Sequence, residues 1–188
     1  MRFSGSVSVL AVIVGLFTLS GCDSNSMEDR IILTHTFGVD INGDPIRYSF
    51  SASDVQNGEL RTFSCNCTLD IEPFLTSRSF SKSELLDARV TSARLKSFFP
   101  IGQRLDYLDM VELVLVATGS GAVIVAEDDT FPPSQEIALT VIQGNSVSAL
   151  LIRPQFTANL SIDPSGVTPD TQYELGIEFT VELELEGF

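Results

Sequence analysis

Residues 173–186 alternate without a break. Tyr173, Leu175, Ile177, Phe179, Val181, Leu183 and Leu185 take the odd positions; Glu174, Gly176, Glu178, Thr180, Glu182, Glu184 and Glu186 take the even ones. In an extended chain successive side chains point to opposite faces, so this pattern makes one apolar face and one wet face. Wound as a helix, the same residues would scatter both sets around the axis. The segment predicts a long antiparallel strand that covers a core on one side only. Its glutamates would repel one another unless something opposes them. Arg94 and Lys96 lie on the side of their own segment opposite Ala93 and Leu95, and they are the candidate counter-charges.

The same period recurs upstream. Ile31, Leu33, His35, Phe37 and Val39 share one face of their segment. Phe63, Cys65, Cys67, Leu69 and Ile71 share another, against Thr62, Ser64, Asn66, Thr68 and Asp70. Further strands are expected at 47–52, 89–99, 110–118, 122–127, 136–142 and 155–162. The run "VELVLVAT" is apolar on both faces except at Glu112, which predicts a central strand covered on both sides. Turn residues fall between these segments: Asn42-Gly43, Gly119-Ser120-Gly121, Pro132-Pro133, Gly144-Asn145 and the stretch 163–166. Ser81 and Glu84 have the spacing of a capping box ahead of Leu85 and Leu86, which predicts one short helix near 81–88. About nine regularly spaced strands and no long helix predict an all-β fold. The expected form is an antiparallel two-sheet β-sandwich, jelly-roll or Ig-like, in a single domain over 30–188, with a barrel as the alternative. A membrane barrel is excluded on register: the positions two, four and six before the terminal Phe188 are Glu186, Glu184 and Glu182, which cannot face lipid cheaply.

The N-terminus carries a different signal. Arg2 is the one charge before Cys22, and Val7 to Leu19 is nearly all apolar. That run is shorter than the roughly 20 residues a spanning helix needs and reads as a signal peptide over 1–21. It ends in Leu19-Ser20-Gly21-Cys22. The motif resembles the lipobox of bacterial lipoproteins, in which the cysteine is acylated and becomes the first residue. The resemblance implies lipidation of Cys22, a membrane anchor through several buried methylenes, and a Gram-negative envelope location, most readily the outer membrane. Residues 22–29 then form a polar tether. Asp23 resembles an inner-membrane retention signal in some lineages and accompanies surface export in others; the sequence leaves both open. The stretch from Ser92 to Ala117 is also similar to small β-rich envelope lipoproteins, a likeness that carries no activity with it.

Charge narrows the partners. The chain has 11 Lys and Arg against 25 Asp and Glu, a net charge of −14. A chain this acidic is unsuited to nucleic acid, which is bound through clustered cations. No cofactor motif is present. The single histidine, His35, sits in an apolar row and is expected to be a hydrogen-bonded core residue rather than a catalytic base, which would need a nucleophile and an orienting acid. Cys65 and Cys67 lie two apart. On a regular strand that separation is about 6.6 Å, near the upper Cα limit for a disulfide. The alternatives are two small buried side chains, a disulfide made across a local distortion, and a metal or redox role. Residues 40–44 resemble a calcium loop only superficially, because Gly43 falls one position early; they are read as a hairpin turn. Glu127, Asp128 and Asp129, beside Phe131, are read as a solvated acidic loop, with a weak cation site or partner contact as the alternative.

These observations predict a lipid-anchored, non-enzymatic envelope protein with a structural, assembly or binding role, its partner an envelope protein or a glycan. The absence of Trp and the three Tyr weigh against an aromatic sugar platform. The alternative is a carboxylate-based hydrolase, or a glycan-binding accessory protein on the cell surface.

Overall fold

The alternation of residues 173–186 is realised as the longest pairing in the molecule. The computed structural model describes residues 30–38, 45–55, 59–65 and 67–187; the signal peptide, Cys22, the tether, the turn at Asn42-Gly43 and Phe188 lie outside the described residues. Nine strands and two short helices follow in chain order. They are β1 (Arg30–Phe37), β2 (Ile46–Ser51), β3 (Arg61–Ser64), α1 (Glu72–Thr76), β4 (Leu85–Phe99), β5 (Leu108–Ala117), β6 (Gly121–Asp128), β7 (Glu136–Val141), α2 (Ser148–Leu151), β8 (Thr157–Pro164) and β9 (Gln172–Glu186).

β9 is paired along both edges. β4 runs antiparallel to it on one side, from Leu85 opposite Leu185 to Phe99 opposite Glu174. β1 and β2 lie end to end on the other side, opposite residues 179–186 and 172–177 respectively. Gly38 follows β1 with a positive φ of 89°, and a side chain there would collide with the backbone of Ile177. Glycine lets the chain hug β9 where it leaves one partner strand for the next.

The nine strands form one antiparallel sheet in the order β1-β9-β4-β7-β6-β5-β8-β3, with β2 added to β9. β7 pairs with β4 at Ala93–Lys96 and with β6 at Ala126 and Glu127, so the sheet curls there into a second layer. Register shifts in β4, between Leu85/Asp87, Val90/Ser92 and Ser97/Phe99, supply the bending that curling needs. The two layers meet over a filled core. Tyr48 of β2 donates to the Ala158 carbonyl of β8 at 2.7 Å. Phe37 packs on Phe156 and Phe50 on Phe63, each with ring centroids 5.2 Å apart. All seven odd residues of β9 are buried, five of them completely. The fold is the antiparallel β-sandwich that the alternation implies.

Three expectations need correction, and one helix was not among them. The strand over 61–71 stops at Ser64, where β3 ends; Ile71 and Leu75 are fully buried from a helical turn instead. The helix near 81–88 is a single 3₁₀ turn at Lys82–Glu84. Glu84 accepts the Ser81 N–H at 2.7 Å and the Ser81 hydroxyl at 2.8 Å. Leu85 and Leu86 then enter β4, whose ladder against β9 satisfies more backbone groups than a second helical turn would. α2 carries Leu150 and Leu151 into the core without any helical periodicity in the sequence. β5 is central in its layer, between β6 and β8, yet it is covered on one face: Val111, Leu113 and Leu115 are fully buried, whereas Val114 and Val116 are half-buried. Among the described residues no helix is long and apolar enough to cross a membrane.

Candidate functional site

The outer face of β9 and its neighbours gathers charges of both signs. In the antiparallel register Arg94 lies opposite Glu178, Lys96 opposite Gly176 and Arg89 opposite Glu182. Arg30 of β1 pairs with Glu184, and Arg47 of β2 pairs with Glu174. The glutamate row is thus flanked on both sides, which removes most of its self-repulsion. Arg94 and Lys96 take a further partner that the sequence did not suggest. Glu136, at the start of β7, lies 3.1 Å from Arg94 and 3.8 Å from Lys96.

Gly176 is the one gap in the outward row of β9. A Cβ built there would stand 2.6 Å from Phe98 and 2.7 Å from Pro45. Those two side chains lean into the space a side chain would fill, so the glycine marks a close approach rather than a flexible point. By the strand period Phe98 shares the outward side of β4 with Arg94 and Lys96, while Ser97 stays buried. Arg47 lies over the Phe98 ring at 4.1 Å and Lys96 at 5.2 Å. The result is a groove of about 180 Å³ with Gly176, Phe98 and Pro45 as its apolar part and Arg94, Lys96, Glu136 and Glu178 as its polar rim. An apolar surface with a few convergent polar groups is what a small ligand uses to fix its orientation. Gly176, breaking a glutamate row, and Phe98, on the Arg94 and Lys96 side of its strand, were the signals available in the sequence; Glu136 and Pro45 had none, because they meet the others only through register.

The other candidates are placed elsewhere. Glu127, Asp128 and Asp129 line a separate hollow of about 230 Å³ with Met110 and Thr140. They are not brought together as cation ligands, and among the described residues no three His, Cys, Asp or Glu could hold a metal ion. Asp128 instead accepts the Thr130 N–H at 3.1 Å, and Asp129 the Thr130 hydroxyl at 3.1 Å. His35 sits half-buried on β1 among rings: Phe37 edge-on at 4.6 Å and Phe74 of α1 at 4.3 Å. Arg78 covers the other side of this cluster, 3.9 Å from the Phe74 ring. Burial first, and the Arg78 charge second, lower the His35 pKa below its ordinary 6.5. Cys65 and Cys67 are joined as a disulfide with Cα atoms 5.0 Å apart. β3 has already ended at Ser64, and the two Cα atoms lie closer than residues two apart on a strand.

No family model matches the sequence, and no curated protein does. Among solved structures, that of the infectious bursal disease virus Gt strain is 12% identical, with a TM-score of 0.39, over 95% of this chain and 37% of that one. The infectious bursal disease virus VP2 subviral particle is 11% identical with a TM-score of 0.35, over 95% and 38%. This chain therefore spans little more than a third of either. Desmodium yellow mottle tymovirus is 12% identical with a TM-score of 0.27, over 97% of both chains.

Proposed function

We propose that this chain is a lipid-anchored, non-enzymatic component of the Gram-negative cell envelope, with a binding or assembly role carried by the outer face of the β9 layer. The observation that carries the anchor is Leu19-Ser20-Gly21-Cys22 at the end of an apolar leader. The observation that supports the face is the groove around Gly176. Cys22 precedes Arg30 by eight residues, which reach about 28 Å at most. The Arg30–Glu186 end of the domain would therefore sit near the bilayer. Gly176 lies ten residues back along β9, about 33 Å from that end, so the groove would be held clear of the membrane.

Membrane fractionation and protease treatment in the native host test this reading. The wild-type chain is expected in the membrane fraction and Cys22→Ala in the soluble one. Digestion on intact cells would place the face outside; digestion only after lysis would place it in the periplasm. A Cys22→Ala chain held as firmly as wild type would overturn the anchor. One observation favours the enzymatic reading, that Glu136 and Glu178 share a groove. Hydrolysis of a glycoside by the wild-type chain, abolished by Glu136→Gln, would establish it over the binding role.

A further inference from the structure

We propose that the Gly176 groove receives one carboxylated sugar ring, a hexuronate, as the recognised unit of an acidic glycan. The inference rests on the reading of this outer face as the binding face and gives that face a ligand class. Three features lead to it. The first is size, since a groove of about 180 Å³ suits a single hexose-sized group and leaves no room for an extended segment below the surface.

The second is charge. The chain has 25 acidic residues against 11 basic ones, yet Arg47, Arg94 and Lys96 are all concentrated around this one groove. Arg94 and Lys96 share Glu136 as ion-pair partner, with Glu178 opposite Arg94 in the register, and Lys96 holds Glu136 at the longer distance of 3.8 Å. An ammonium has three donors, and one loose ion pair leaves Lys96 able to take a ligand carboxylate. The ion pair formed would be charge-assisted and directional.

The third is the pairing of acceptors with an apolar wall. Glu178 and Glu136 are acceptors for sugar hydroxyls. Phe98 and Pro45, packed over Gly176, offer apolar surface for the C–H face of a ring. A free carboxylate without a ring would leave that surface and Glu178 unused. A neutral sugar would leave Lys96 on its long contact.

Saturation-transfer NMR on the full-length chain in detergent micelles tests this with sodium D-glucuronate as the probe. D-glucose and L-alanine serve as the neutral and zwitterionic comparisons. The groove is shallow and the ligand small, so saturable glucuronate binding is expected with a Kd on the order of 1 mM, at least fivefold tighter than glucose. Lys96→Gln, at a side chain that is 48% exposed, should keep its fold by circular dichroism and weaken glucuronate at least tenfold. Arg153→Gln, outside the groove, should bind as wild type. Equal binding of glucose and glucuronate, tighter binding of alanine, no binding, or full binding by a folded Lys96→Gln would each overturn the proposal. Its failure leaves membrane retention through Cys22 unaffected, whereas a Cys22→Ala chain that stays in the membrane while still binding glucuronate would overturn the anchor alone.

Discussion

β9 and the start of the segment from Cys65 to Phe80, as far as Ile71, both place apolar residues at alternate positions, and they adopt unlike structures. β9 has β4 on one edge and β1 and β2 on the other, and it stays extended for fifteen residues. The second segment leaves β3 at the end of the sheet order. It makes one bridge, Leu69 to Phe156, and then folds into α1. Beyond Cys65 its buried residues are Ile71, Leu75 and Phe80, spaced by four and five, not by two. The difference teaches that alternation specifies which face is apolar, whereas neighbours decide whether the chain stays extended. A strand with partners on both edges satisfies every backbone group in the ladder, while a segment beyond the last strand must satisfy its groups locally.

Removing a core side chain from each region breaks the comparison most sharply. Phe179→Ala in β9 is expected to cost about 4 kcal/mol in chemical denaturation, because strands on both edges hold the cavity open. Leu75→Ala in α1 is equally buried but should cost about 2 kcal/mol, since a short helix outside the sheet can settle into the space. Equal losses would contradict the contrast.

The tie that pins the excursion gives a smaller effect. The Lys82 ammonium donates to Asp70 at 2.6 Å, just before α1, and to the Arg153 carbonyl at 2.7 Å, just after α2. Burial pushes the Asp70 carboxyl up, but Lys82 and the Glu72 N–H outweigh it and hold that carboxyl below its ordinary 3.8. Lys82→Met is expected to cost about 1 kcal/mol and to raise protease cutting within 70–80 while leaving β9 intact. Cutting spread across the domain would show that the segment is not a separate local unit.

How much of this was legible follows from which residues act through their own segment. The faces of β9, the side of β4 that carries Arg94 and Lys96, and the Ser81–Glu84 capping pair are local, and sequence spacing revealed them. The groove depends on Gly176, Phe98, Pro45 and Glu136 meeting from four separate segments. Only a register set by long-range pairing places them together. Leu69 and Ile71 were read on strand period because the end of the sheet at β3 has no local signature. Cys65 and Cys67 were judged on strand geometry for the same reason.

The smallest expected effect lies where the 65–80 segment meets β1, a strand paired with β9. His35 on β1 packs against Phe74 of α1, and burial followed by the Arg78 charge lowers its pKa below 6.5. The unfolded chain then binds the proton more readily than the folded one. The contribution of neutral His35 is fully present above pH 6.5 and declines as pH falls below it toward the lowered folded value. His35→Gln should flatten this part of a stability-against-pH curve. An unchanged slope would show that His35 does not couple β1 to α1.

The rigidity of β9 beneath the groove is tested most directly by native-state amide exchange on the full-length chain. Amides of β9 from Leu175 to Leu183 are predicted to exchange only through global unfolding, while those of 70–80 exchange earlier through a local opening. Exchange from β9 at the rate of the 70–80 segment would contradict the view that pairing on both edges makes this strand the fixed axis of the molecule.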